Sequence, residues 1–283
     1  MIDGMEIIKG TGEREAFKDQ KLYQSLIKAG ASRSLAEHIE RQVAEEVKPD
    51  MTTEEIFTKA FTYLRKEDIC VAARYRLKRG IMELGPAGFL FEQYFAAILR
   101  AYGYETALNR IVQGECVSHE TDIVAEKGKR CYFVEAKYHN HHGVKTNTRT
   151  VMYAYARLLD MAPVEARSHE RGTEFHMWVA TNTKFTNRAR RYGRCRGLRL
   201  TGWGYPRHES LQDLIEEKIL HPVTVLPSIN KHSREQLAQQ RILFAKDLAS
   251  YAPEEIERIA SVSPKNARQL HHEVEALLNG SDA

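Results

Sequence analysis

No stretch of this chain approaches the ~18 consecutive apolar residues of a membrane span. The first residues, MIDGMEIIKGTGERE, carry acids and lack a long apolar core, so they do not read as a secretory signal. Cysteine is scarce. Cys70, Cys116, Cys131 and Cys195 are widely spaced, and no Cys-x-x-Cys pair points to zinc or redox work. These absences favour a cytoplasmic protein with reduced thiols. There is no Walker loop, so ATP hydrolysis is not expected. Long repeats and low-complexity tracts are missing too. Net charge is only +4, from 42 Lys+Arg against 38 Asp+Glu, which by itself is a weak sign of a nucleic-acid partner. One local absence matters more. From Phe175 through His208 there is no Asp or Glu, while Lys184, Arg188, Arg190, Arg191, Arg194, Arg196, Arg199 and Arg207 fall in that window. Such a run is either a solvated helix face or a surface for phosphates, which supply much of the affinity for nucleic acid.

What is present suffices for a core: 42% of the residues are hydrophobic and 28% charged. A length of 283 residues allows two or three domains. Residues 5–84 read as a short strand with a glycine turn, then four helices. Phe17, Leu22, Leu26 and Ile27 lie near helical spacing, Pro49 stops the second helix, and Thr52 with Glu55 has capping-box spacing. Gly85-Pro-Ala-Gly88 breaks the pattern and marks a boundary. The middle region reads helix, two antiparallel strands, helix, strand, basic helix, strand, which implies a mixed sheet with helices packed on it. From 227 the chain is helical again, with Ser233 and Gln236 in capping-box spacing and Pro253 and Pro264 near helix starts. The expected domains are therefore 1–84, 85–226 and 227–283.

The segment TDIVAEKGKRCYFVEAKYH at 121–139 is a hairpin with charges where a core would be expected. A tight turn at Gly128 and Lys129 sets Asp122 opposite Glu135 and Glu120 opposite Lys137. Opposed side chains have Cβ atoms ~4.5–5.5 Å apart. Two carboxylates on one sheet face repel, and burial should push one pKa up. A divalent cation removes that conflict, and hard oxygens suit Mg²⁺ or Mn²⁺. Lys137, on the same face as Glu135, can hold water or stabilise charge developing on phosphate. Glu120 reads equally as a further ligand or as an ion-pair partner of Lys137. His139, His141 and His142 follow; a zinc site is conceivable, but loop histidines facing phosphate or solvent are favoured.

Asp, a short spacer and Glu-x-Lys on the next strand resembles the core of the PD-(D/E)xK nucleases. GPAGFLFEQYFAAILRAYGYET resembles the helix before that core in Mrr-type restriction endonuclease domains, and WVATNTKFTNRARRYGRCRGLRLTGW their last strands and helix. The resemblance covers about residues 86–226. It implies a restriction-endonuclease-like α/β/α fold and metal-dependent phosphodiester hydrolysis. Asp122 and Glu135 are then metal ligands, Lys137 the catalytic lysine and Glu92 a helix glutamate completing the site. Thr121 stands where the family often has proline.

Two flanking resemblances complete the reading. IIKGTGEREAFKDQKLYQSLIKAG with DICVAARYRLKRGI resembles the ATP-cone, a regulatory domain that binds ATP or dATP. By that resemblance Lys9, Lys21 and Arg74 hold the nucleotide; Gly10 replaces the family's arginine. Cone domains often associate, which leaves a homo-oligomer open. The C-terminal helices resemble a helix-hairpin-helix segment, with Ser261, Val262 and Ser263 in place of Gly-x-Gly. The leading expectation is a nucleotide-regulated, metal-dependent DNA endonuclease. Its rivals are an inactive nuclease fold serving as a nucleotide-responsive DNA-binding regulator, and an assembly scaffold.

Overall fold

The structure, a computed structural model, describes residues 5–85, 88–141 and 143–279. They fall into two compact units, Met1–Ile81 with His221–Ala283, and Met82–Leu220. Of the Gly-Pro-Ala-Gly break, Pro86 and Ala87 lie outside the described residues.

The first unit opens with an antiparallel pair, β1 (Glu6–Ile8) and β2 (Arg14–Ala16), across a turn in which Gly12 has φ +83°. Only β1 is legible in the sequence, because β2 is exposed and has no apolar run. Helices α1 (Asp19–Lys28), α2 (Arg33–Glu46), α3 (Thr53–Glu67) and α4 (Ile69–Met82) follow. The Thr52–Glu55 capping box forms at the start of α3 as its spacing requires. Each such cap stabilises its helix by about 1 kcal/mol. Leu26, Ile39, Val43, Ile56 and Leu64 meet in one apolar core.

The second unit is built on a mixed sheet. Helix α5 (Phe89–Ala101) leads into β3 (Glu105–Gln113), β4 (Ser118–Lys127) and β5 (Arg130–Lys137). After β6 (Lys145–Thr146) come α6 (Thr148–Ser168), β7 (Glu174–Thr181), β8 (Lys184–Phe185), α7 (Asn187–Arg196), β9 (Arg199–Thr201) and α8 (Leu211–Glu217). The five-stranded sheet runs β3-β4-β5-β7-β9. Strands β3, β4 and β5 are antiparallel neighbours, while β7 runs parallel to β5, and β9 to β7. Strand β3 was not foreseen. Its side chains are almost all exposed or half-exposed, so no apolar alternation announces it.

Alternation along β5 divides the core. Cys131 and Phe133 pack with Met161 of α6 and Ala189 of α7 on one face. Trp178 on β7 meets Phe95 of α5 edge to face, centroids 5.6 Å apart, on the other. Aromatic pairs of this kind add about 0.5–1.5 kcal/mol beyond area burial.

The C-terminal helices α9 (Lys231–Gln239), α10 (Pro253–Ala260) and α11 (Pro264–Asn279) belong to the first unit. Helix α9 starts three residues before the expected Ser233, because Asn230 is the cap and Ser233 sits at its third position. Pro253 and Pro264 do open their helices. Thr224 donates a 2.6 Å hydrogen bond to the Gly80 carbonyl of α4. A Cβ at Gly80 would lie 2.9 Å from Val225, so only glycine permits this approach.

Candidate functional site

The hairpin register is the one the sequence sets. Gly128, with φ +59°, turns the chain, and pairing runs from Lys127 opposite Arg130 to Ile123 opposite Val134. Beyond Ile123 the ladder stops. On the β3 side Asn109 has φ +50° and interrupts the pairing between Leu108 opposite Ile123 and Arg110 opposite Thr121. Asp122 therefore sits at a local opening between three strands. Its Oδ2 accepts the Ala136 N–H at 2.7 Å, standing in for a backbone partner. Neither expected opposition, Asp122 with Glu135 or Glu120 with Lys137, forms as a ladder pair. Glu120 pairs instead with Ile111 of β3, and among the described residues no ion pair joins it to Lys137.

Four acids converge here. Burial, then the charges of Asp122, Glu120 and Glu135, push the Glu92 carboxyl up to about 7. Asp122 is pushed up to about 6, chiefly by burial; the Ala136 N–H and Arg157 oppose this, and Glu135 and Glu120 add to it. Glu92 reaches the cluster from the first turn of α5. The N-terminus of α5 is tied to the end of β5, where the Tyr138 ring lies 5.7 Å from Phe91. Lys137 is exposed at the end of β5, opposite Thr181 of β7. The four residues expected at the site are thus gathered at one end of the sheet.

The sequence did not reveal Arg157. This buried arginine of α6 donates to Glu135 and to the Glu120 carbonyl. It is the cation that already offsets one acid of the cluster. No three of the four acids bring ligand oxygens within 4.8 Å of one another in this arrangement. Asp122 and Glu135 carry hard oxygen donors of the kind Mg²⁺ or Mn²⁺ takes, and a ligating Glu135 would have to share or leave Arg157.

Among the described residues the neighbouring histidines form no ligand set. The His139 backbone donates to Asn182 at 2.8 Å, and its Nε2 lies 2.9 Å from Thr146. Burial, then Lys137, holds its imidazole below the usual range. It ties the end of β5 to the chain after β7. His141 is exposed, and His142 lies outside the described residues.

The basic run begins at the same end of the sheet, where β8 pairs with β6. Helix α7 buries Ala189 and Gly193 and turns Arg188, Arg191 and Arg194 outward, with Lys184 exposed just before it. Arg190 is half-buried, bonds Asn187 and lies over the Tyr205 ring at 5.3 Å. Arg199 is structural: it stacks 3.7 Å from the Trp178 ring centre and pairs with Glu209.

In the first unit, Lys9 and Lys21 come together on one acid, Glu15, at 3.5 and 2.7 Å. Lys21, as the strongest influence, holds the Glu15 carboxyl below its usual range. Arg74 lies elsewhere, against Gly30 beyond the far end of α1, where a Cβ would meet its guanidinium at 3.1 Å.

Comparison with known proteins adds three findings. The ATP cone domain matches residues 5–81, and the AF1548-like C-terminal domain matches residues 221–278. An uncharacterized protein of Archaeoglobus fulgidus is 38% identical over 183 residues, 65% of this chain and 99% of that protein. The chain belongs to the AF1548-like family. The crystal structure of AF1548, a protein of unknown function, superposes with a TM-score of 0.55 at 36% identity, covering 69% of this chain and all of that one. This AF1548-like protein thus joins an ATP-cone to a mixed α/β unit. Among its described residues no helix is long and apolar enough to cross a membrane.

Proposed function

We propose that the AF1548-like chain is a metal-dependent DNA endonuclease whose activity responds to ATP or dATP bound at its cone. The observation that carries this reading is the convergence of Glu92, Asp122 and Glu135, two of them with raised pKa values, beside an exposed Lys137. The helix, three antiparallel strands, helix and parallel strands also follow the order of a restriction-endonuclease-like core. Asp122 and Glu135 would hold Mg²⁺ or Mn²⁺, with Glu92 beside them at the site. The ion would supply Lewis-acid stabilisation of the phosphoryl oxygens. Lys137 orients the attacking water and stabilises negative charge developing on phosphate. Water adds to phosphorus and gives up a proton to solvent, the P–O bond to the leaving strand breaks, and the departing oxygen takes a proton from solvent. Lys184, Arg188, Arg191 and Arg194 hold the DNA backbone, and Arg190 braces the helix that carries them.

In the first unit Lys9 and Lys21 bind the triphosphate by releasing Glu15, and Arg74 serves the nucleotide indirectly from the other end of α1. A ligand acts on the nuclease only by binding two conformations unequally. A second reading has its own support, because Arg157 already neutralises Glu135. On that reading the unit binds DNA without cutting it, as a nucleotide-responsive regulator. Cleavage of duplex DNA with Mg²⁺ or Mn²⁺, compared with EDTA, separates the two. Asp122→Ala should lower metal-dependent cutting by about 10³-fold while remaining folded; cutting at the wild-type rate in this variant sinks the assignment.

A further inference from the structure

A different group of ligating side chains lies at the other end of the sheet. Glu126 and Cys131 are direct partners beside the hairpin turn, and His169 follows the last residue of α6. One ligand atom from each lies within 4.8 Å of the others, and among the described residues no other triad does so. Cys131 is 1% exposed and packs in the apolar core, whereas Glu126 is exposed and His169 half-buried. The group is therefore a pocket wall with one open side.

Two features distinguish it from a chance cluster. The donors are a thiol, an imidazole and a carboxylate, a mixture that suits zinc and not the hard cations of oxygen-only sites. The imidazole is already oriented. His169 Nδ1 lies 2.9 Å from the Glu165 carbonyl, so this nitrogen carries the proton and Nε2 is left to ligate. Ligating histidines show this outer-shell bond almost without exception. The ring is held further by an edge contact with Phe175, centroids 5.0 Å apart.

We propose that Glu126, Cys131 and His169 bind one Zn²⁺ that fastens the β4–β5 hairpin to the end of α6. On binding, the Cys131 thiol gives its proton to solvent and the thiolate ligates; His169 contributes neutral Nε2 and Glu126 an oxygen. Water takes the fourth position. The role is structural and does not depend on the nuclease reading, since none of the three residues belongs to the Asp122 cluster.

The test uses the full chain, freed of any histidine tag and dialysed, with zinc measured by plasma mass spectrometry. Wild type should retain about one zinc per chain, and Cys131→Ala and His169→Gln less than about a tenth as much. Stoichiometric Zn²⁺ added to metal-stripped wild type should raise Tm by about 5 °C and leave both variants unmoved. Co²⁺ should give a sulfur-to-metal charge-transfer band in wild type that is lost in Cys131→Ala. Because Cys131 lies in the core, its variant can fail for packing reasons; His169→Gln, outside that core, keeps the test decisive. Zinc retained at the wild-type level in His169→Gln would overturn the proposal, since the ion would then sit elsewhere. So would a wild type that takes up no zinc and whose Tm does not respond to it.

Discussion

The acids where β4 and β5 part crowd one another, whereas the lysines of the cone are already matched by an acid. Glu92 and Asp122 are pushed up to about 7 and about 6, and of the acids facing them only Glu135 has a guanidinium partner, Arg157. Around Glu15 the sign is reversed: Lys9 and Lys21 converge on one carboxylate, which they hold below its usual range. A cation admitted to the first cluster would relieve its repulsion. The second must give up ion pairs to admit a triphosphate. A metal should therefore bind the resting protein readily, while a nucleotide has to displace an internal competitor. That asymmetry suits a constitutive metal and a regulatory nucleotide.

The largest expected effect lies at the crowded cluster. Asp122→Ala should lower metal-dependent cleavage by about 10³-fold, because an ion worth several kcal/mol of transition-state stabilisation loses a ligand. Cleavage time courses check this, and circular dichroism checks folding. A smaller effect is expected on α7. Replacing Arg188, Arg191 and Arg194 together by Gln should weaken DNA binding about 10–100-fold and flatten the log K against log salt slope by about 2 to 3. Binding isotherms at several salt concentrations measure both. An unchanged slope would make the outward arginines a solvated face.

The matched cluster should respond in the opposite sense. Glu15→Gln frees Lys21 and leaves Lys9 with Glu13 at 3.2 Å, and ATP should bind up to about five-fold more tightly, the scale of an exposed ion pair. Calorimetric titration reads this. Weaker binding would mean that Glu15 holds the lysines in place for the ligand. The smallest effect is on stability. Glu92 has its folded pKa raised from 4.5 to about 7, mainly by burial. Its contribution is fully present below pH 4.5 and is lost as pH rises towards 7. Metal-free protein should therefore lose some Tm across that interval, and Glu92→Gln should flatten the loss. Added Mg²⁺ should have the same flattening effect on wild type.

The parts legible in the sequence were those set by local rules. Gly128 and Lys129 fixed the hairpin register, and that register placed Asp122 near Glu135. Thr52 and Glu55 marked the start of α3. The misses share a different cause. Strand β3 is an edge strand without apolar alternation, so only pairing with β4 defines it. The gap in pairing at Asp122 falls opposite Asn109, a residue of a strand that carries no apolar pattern. Arg157 reaches Glu135 across 22 residues of chain from a helix that looks ordinary. Glu126, Cys131 and His169 have no motif spacing, since α6 must first return along the sheet to bring His169 to the hairpin. Asn230 and Ser233 are both good caps, and spacing alone chose the wrong one.

The most direct measurement is cleavage of supercoiled plasmid with Mn²⁺, comparing wild type with Lys137→Ala, while DNA and Mn²⁺ binding are followed in parallel. The account expects wild type alone to cut, and the variant to bind DNA and metal normally while cutting about 10²–10³-fold more slowly. Equal cutting by both proteins, or none by wild type with DNA and Mn²⁺ both bound, would contradict it.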